Sequence, residues 1–124
     1  MEFELKEGME FVAEQMVTDN DTASKYGSGL VEVFATPAMI ALMEKASLNV
    51  VLPKMAENYN TVGTFVNVKH IKATPVGKKV TCKAILTKVE GKKLEFAVEA
   101  WDEDGKIGFG THGRYIIDTT TFGK

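Results

Sequence analysis

Thr36, Glu44 and His70 supply a hydroxyl, a carboxylate and an imidazole, the side-chain types that could together activate and attack a carbonyl carbon. Each also has a plainer use. In FATPAMIALMEKA (residues 34–46) a helical register puts Pro37, Ile40, Glu44, Ser47 and Val51 on one stripe, so a carboxylate sits among apolar and small neighbours. Either this face borders solvent and Glu44 pairs a lysine, the commoner fate of a carboxylate, or Glu44 is held at a buried cleft where it can orient a water or act as a base. Thr36 precedes Pro37, so its hydroxyl reads first as a helix N-cap, a contribution of about 1 kcal/mol. The same place, at the positive end of the helix dipole, also suits an oxyanion or a thioester carbonyl. His70 ends an alternating face of Thr64, Val66 and Val68. A lone histidine there is more often structural, yet its ordinary pKa near 6.5 suits proton transfer, and a carboxylate such as Glu44 beside it would raise that value and fix the tautomer.

Other signals carry less. His112, in GTHGR, reads as a surface or strand-pairing residue. The glycine-rich GFGTHG lies in a strand pattern with no helix after it, so it is not a phosphate loop; Gly108, Gly110 and Gly113 mark a bulge or a close backbone approach. Two histidines without a ligating spacing, and a single cysteine, Cys82, give no metal site. The chemistry expected is therefore metal-free, with no cofactor, and runs through Thr, Glu, His and backbone amides.

These residues need one helix and a sheet to hold them. The helix starts at Thr36 and runs to about Leu52, where Pro53 limits it; its first two turns are apolar on most sides. A first strand is expected over Glu10–Val17, then a loop over Thr18–Gly29 and a short extended piece, LVEVFA. After the helix come a long strand over Thr61–Thr74 closed by the turn TPVG, a strand in KKVTCKAILTKV, a turn at EGKK, and a strand in KKLEFAVEAW with Leu94, Phe96, Val98 and Ala100 alternating inward. Asp104-Gly105 is a hairpin signal, and IGFGTHGRYIID is the last strand. Strand, loop, helix and four antiparallel strands predict an α+β chain whose single sheet is covered on one face by one helix.

The 124 residues fit one domain, 1–124, with a core of modest size. Fifteen basic and seventeen acidic residues leave a net charge of -2, which argues against a nucleic-acid partner. One cysteine allows no intrachain disulfide, MEFELKEGME lacks the apolar region of a secretory signal, and no apolar run is long enough to span a membrane. The expected location is the cytoplasm.

Three separated motifs, VFATPAMIALMEKA, VGTFVNVKHIKATPVGKKV and GKIGFGTHGRYII, together resemble the hot-dog-fold acyl-CoA thioesterases, specifically the fluoroacetyl-CoA thioesterase-like branch, from about Val31 to Ile117. The resemblance implies a hot-dog fold, one antiparallel sheet wrapped around one long helix, and a homodimer with its active site at the subunit interface. It implies catalytic roles for Thr36 in FAT, for Glu44 eight residues on, and for His70 in VKHIKATP. It implies substrate binding by Gly63, whose backbone helps hold the substrate carbonyl, by Thr64 beside it, and by Arg114 in THGR. Two departures stand out. The longer, Phe-containing lid segment of the branch is replaced by the shorter, polar SKYGSGLVEVF, and Pro37 stands where a glycine follows the threonine.

The function expected is hydrolysis of a small acyl-CoA thioester to the free acid and CoA. His70 and Glu44 would activate either Thr36 or a water, with helix-start amides and Gly63 on the oxyanion. Lys69, Lys72, Lys78 and Lys79 could meet the CoA phosphates or be solvated strand-end charge. The alternative is a non-catalytic acyl-CoA binding module on the same fold, which would not need the Thr, Glu and His together. A hot-dog dehydratase or hydratase ranks last, because the helix start lacks the Asp-x-x-x-x-His pairing such enzymes show.

Overall fold

In the computed structural model, which describes residues 3–124, alternation in the sequence becomes a curved sheet closed over one helix. The strands are β1 (Glu10–Met16), β2 (Tyr59–His70), β3 (Lys79–Glu90), β4 (Lys93–Asp102) and β5 (Gly105–Asp118). They pair antiparallel in the order β1-β3-β4-β5-β2. The last three follow one another as hairpins, whereas β2 does not pair with β3, its successor in sequence. Chain after β2 crosses to the far side of the sheet, so β1 and β2 become its two edges. Burial follows the period of a strand with one covered face: Val80, Cys82, Ala84 and Leu86 of β3, and Leu94, Phe96, Val98 and Ala100 of β4, point inward.

A one-turn helix, α1 (Ala23–Tyr26), precedes the long α2 (Thr36–Val51), and a 3₁₀ turn over Leu52–Lys54 ends α2 at Pro53. The helix lays Ala38, Met39, Leu42, Met43, Ala46 and Val50 on the inner face of the sheet, where they join the core. Ser47 is also buried, and its hydroxyl donates to the Met43 carbonyl at 2.9 Å, so no polar group is stranded there. The stripe that carries Glu44 therefore runs from exposed Pro37 to buried Ser47 and Val51, and Glu44 between them is half-buried.

Several local expectations shift. The segment Thr18–Gly29 is not all loop: it holds a 3₁₀ turn at Asp19–Asp21 as well as α1, which Thr22 caps through its hydroxyl. The piece LVEVFA is extended only at its end, where Phe34 and Val33 make isolated bridges to Thr22 and Pro75. Strand β2 starts at Tyr59 and stops at His70, short of Thr74, because beyond it the chain turns to pair with the segment before α2: Phe34 N–H donates to the Thr74 carbonyl at 2.8 Å. Buried Asp102 stabilises this crossing. Its carboxylate accepts from Lys72 Nζ at 2.6 Å, Thr74 Oγ1 at 2.9 Å and the Asp104 N–H at 2.8 Å. Burial pushes the Asp102 carboxyl up, but these donors outweigh it and hold the group below its ordinary range. No helix among the described residues is long and apolar enough to cross a membrane.

Candidate active site

Thr36 does not cap α2. The cap position belongs to Ala35, extended and without a side-chain hydrogen bond, and Thr36 is the first helical residue. Pro37 follows in the first turn, where its missing N–H leaves nothing unpaired. The Thr36 hydroxyl, released from capping, lies 2.8 Å from His70 Nδ1 at the end of β2. The backbone enforces this meeting from both sides. Ala35 N–H donates to the Asp21 carbonyl and Ile71 N–H to the Ile107 carbonyl, which fixes the residue before Thr36 and the one after His70.

Burial lowers the pKa of the His70 imidazole, and the Lys72 backbone pulls weakly the other way, so the ring is neutral at neutral pH. With its proton on Nε2, the ring accepts the Thr36 proton at Nδ1, the relation of a base to a nucleophile or to the hydroxyl that positions one. Nε2 is buried with no hydrogen-bond partner among the described residues. The pair opens on a groove of about 450 Å³ lined also by Ser28, Phe34, Ile71 and Lys72.

Glu44 is not beside this pair. Eight helical residues separate it from Thr36, about 12 Å along the axis. Its carboxylate lies instead against Gly63: a Cβ on that glycine would stand 3.0 Å from Glu44 Oε2, 3.3 Å from His112 Cε1 and 3.7 Å from Arg114 Nη1. Gly63 and His70 are seven residues apart on β2, roughly 23 Å of extended strand. No rotamer of Glu44 bridges that distance, so the carboxylate expected to raise the His70 pKa is absent from its surroundings, and burial lowers it instead.

The second group is a buried polar network. Arg114 donates through Nε to Thr61 Oγ1 at 2.8 Å and through Nη2 to the Thr61 carbonyl at 2.9 Å, while Nη1 lies 3.1 Å from His112 Nε2. Burial lowers the Arg114 pKa and the Glu44 charge opposes it, yet Glu44 makes no ion pair among the described residues. Arg114, Thr64 and Phe65 line a second groove of about 390 Å³. Thr64 is the extra residue of a bulge, since Gly63 faces Arg114 and Phe65 faces Gly113. His112, read from sequence as a surface or strand-pairing residue, is 1% exposed. The signal for it was present: residues 112, 114 and 116 share a strand face, and Ile116 is core, but glycines at 108 and 110 dilute the alternation.

Of the lysines considered for phosphate, Lys72 is committed to Asp102 and Lys79 reaches Glu14 at 3.2 Å. Burial pushes the Cys82 thiol up to about 12, which removes it as a nucleophile.

A model of the FlK family, fluoroacetyl-CoA-specific thioesterases, matches residues 17–120. The chain belongs to this family. It is 42% identical over 91 residues to the fluoroacetyl-CoA thioesterase of Streptantibioticus cattleyicolor, an alignment that covers 73% of this chain and 66% of that protein. Among solved structures, the fluoroacetyl-CoA thioesterase FlK superposes with a TM-score of 0.90 at 35% identity, over 95% of this chain and 92% of that one. A Thermus thermophilus member of the thioesterase superfamily superposes with a TM-score of 0.86 at 31% identity, over 93% and 85%. The fold is the hot-dog fold that these relatives share, with α2 as its central helix.

Proposed function

We propose that this FlK-family protein is an acyl-CoA thioesterase that cleaves a small acyl-CoA to the free acid and CoA. The observation that carries the reading is the 2.8 Å contact between Thr36 Oγ1 and His70 Nδ1, at a helix start and open to a groove. His70 takes a proton from the attacking oxygen, that of Thr36 or of a water held by it. The acyl carbon gains a C–O bond, the C–S bond breaks, and the CoA thiolate takes up the proton; where Thr36 is the nucleophile, a water then hydrolyses the acyl-threonine ester, releasing the acid and restoring the hydroxyl. Backbone N–H groups at the start of α2 and at Gly63 serve the oxyanion. Thr64 and Arg114 flank the substrate. A threonine-to-serine variant of FlK has been solved with acetyl-CoA, which makes small acyl-CoAs the first substrates to try.

The working unit is a homodimer. Strand β2 is a sheet edge with five successive exposed residues, Gly63 to Asn67, including Phe65 and Val66. An antiparallel pairing of β2 with its copy about a two-fold axis near the middle of the strand brings the Gly63 end of one copy towards the His70 end of the other. That arrangement carries Glu44 and Arg114 of one subunit to Thr36 and His70 of its partner, so each active site spans the interface. The cytoplasm is the compartment we assign, in keeping with a single free cysteine.

CoA release from acetyl, short branched, aromatic and fluoroacetyl thioesters tests the activity. Binding without release from any of them would favour a non-catalytic acyl-CoA binding module. Mixing tests the shared site. Thr36→Ala and Glu44→Ala proteins, each inactive alone, should recover roughly a quarter of wild-type turnover after subunit exchange, because half the dimers are mixed and each holds one whole site. No recovery in verified mixed dimers would place all three residues in one chain's site and contradict the split.

A further inference from the structure

His112 is a buried titratable group that the proposed reaction leaves unused. Its ring packs near Phe96, with centroids 6.3 Å apart. Its two nitrogens define its state. Nδ1 lies 2.7 Å from the Phe65 carbonyl, which can only accept, so Nδ1 carries the proton. Nε2 lies 3.1 Å from Arg114 Nη1, which can only donate, so Nε2 offers its lone pair. Both contacts require the same neutral tautomer, and a proton on Nε2 would break the second. Burial and the Arg114 charge lower the imidazole pKa, against opposing pulls from the Phe65 carbonyl and Glu44.

Each contact reaches a part of the Glu44 group. The Phe65 carbonyl sits just past the bulge at Gly63, so the Nδ1 bond pins the strand where its backbone changes register. The Nε2 bond adds a third anchor to the guanidinium, which Thr61 already holds through Nε and Nη2. Glu44 Oε2, His112 Cε1 and Arg114 Nη1 thus surround one face of Gly63.

We propose that His112 is a positioning residue: as the neutral Nδ1–H tautomer it fixes the Gly63–Phe65 bulge and the Arg114 guanidinium, so that Nη1 and the Gly63 backbone face Glu44 in a set geometry. For catalysis this rests on the thioesterase reading above; the hydrogen bonds themselves do not.

Two substitutions separate the contacts. His112→Asn keeps a donor near the Nδ1 position and loses the acceptor for Arg114, while His112→Gln can place an amide oxygen near the Nε2 position. Expected for His112→Asn is a kcat loss on the order of 100-fold with KM for the acyl-CoA changed little, and for His112→Gln a kcat within about tenfold of wild type. Equal losses in both that track their melting temperatures, or full kcat in His112→Asn, would overturn the positioning role. A second readout needs no turnover. Nitrogen NMR of the wild type at neutral pH should show His112 protonated at Nδ1 and a protected Arg114 side-chain N–H, lost in His112→Asn and kept in His112→Gln. An Nε2–H tautomer, or an Arg114 signal indifferent to both substitutions, would overturn the proposal whether or not the protein hydrolyses a thioester. With the NMR pattern as expected and no hydrolysis in the wild type, the thioesterase reading fails and the positioning of Arg114 stands.

Discussion

The two ends of β2 carry two different kinds of polar group. At the His70 end, one hydrogen bond joins an exposed threonine to a half-buried histidine above an open groove. At the Gly63 end, His112, Arg114 and Thr61 are buried and tied by four hydrogen bonds. The first has one short contact and free access, which suits atoms that must exchange a proton and meet a substrate. The second holds charge in place in a medium where an unpaired donor would cost about 1–3 kcal/mol. An open hydroxyl–imidazole contact and a buried charged network are thus built separately, and the proposed dimer brings them together.

The sharpest way to break this comparison is to delete one proposed catalytic group at a time. Thr36→Ala, His70→Ala and Glu44→Ala should each lower kcat by about 10²- to 10⁴-fold, with circular dichroism unchanged. Full activity in His70→Ala would return His70 to a structural role, and unchanged hydrolysis in Glu44→Ala would remove that carboxylate from the mechanism. Next in size is Gly63→Ala. Its methyl would press on Glu44 Oε2 at 3.0 Å, so turnover should fall roughly ten- to a hundredfold with little change in melting temperature, since the nearest atom that must give way is the end of a flexible side chain. Wild-type kcat there would mean that Glu44 swings aside at no cost to the reaction.

Asp102→Ala probes what supports the open end. It strands the Thr74 hydroxyl and the Asp104 N–H, so stability should fall by about 2–3 kcal/mol in chemical denaturation. A loss under 0.5 kcal/mol would show that the crossing after β2 holds without it.

The smallest effect is on pH dependence, and it comes from the buried end. Burial lowers the pKa of the His112 imidazole in the folded chain, whereas at His70 the partner's Glu44 would oppose the effect of burial. The unfolded chain, with histidines near 6.5, therefore binds more protons as pH falls below about 6.5, and stability rises with pH through that window. The contribution is whole above about 6.5 and is lost on acidification towards the lower folded value. Asp102, held low, adds stability that disappears only below its unfolded value near 3.8. Melting temperatures measured from pH 7.5 to 5 should decline, and a flat profile would contradict the neutral burial of the His112 ring.

Much of the frame was legible in the residues. Pro37 and Pro53 bracket α2, the alternation of β3 and β4 names the core face, and Asp104-Gly105 turns the last hairpin. These are local signals, set by backbone sterics and by the two-residue period of a strand. Tertiary structure decided the rest. It paired β2 with β5 rather than with β3, because strand pairing answers to which apolar faces meet and not to chain order. That pairing turned the Thr36 hydroxyl from a cap into the partner of His70, and it enclosed His112 with Arg114 beside Gly63. A hydroxyl or an imidazole bonds with whatever the fold brings within 3 Å, and sequence spacing alone does not fix that.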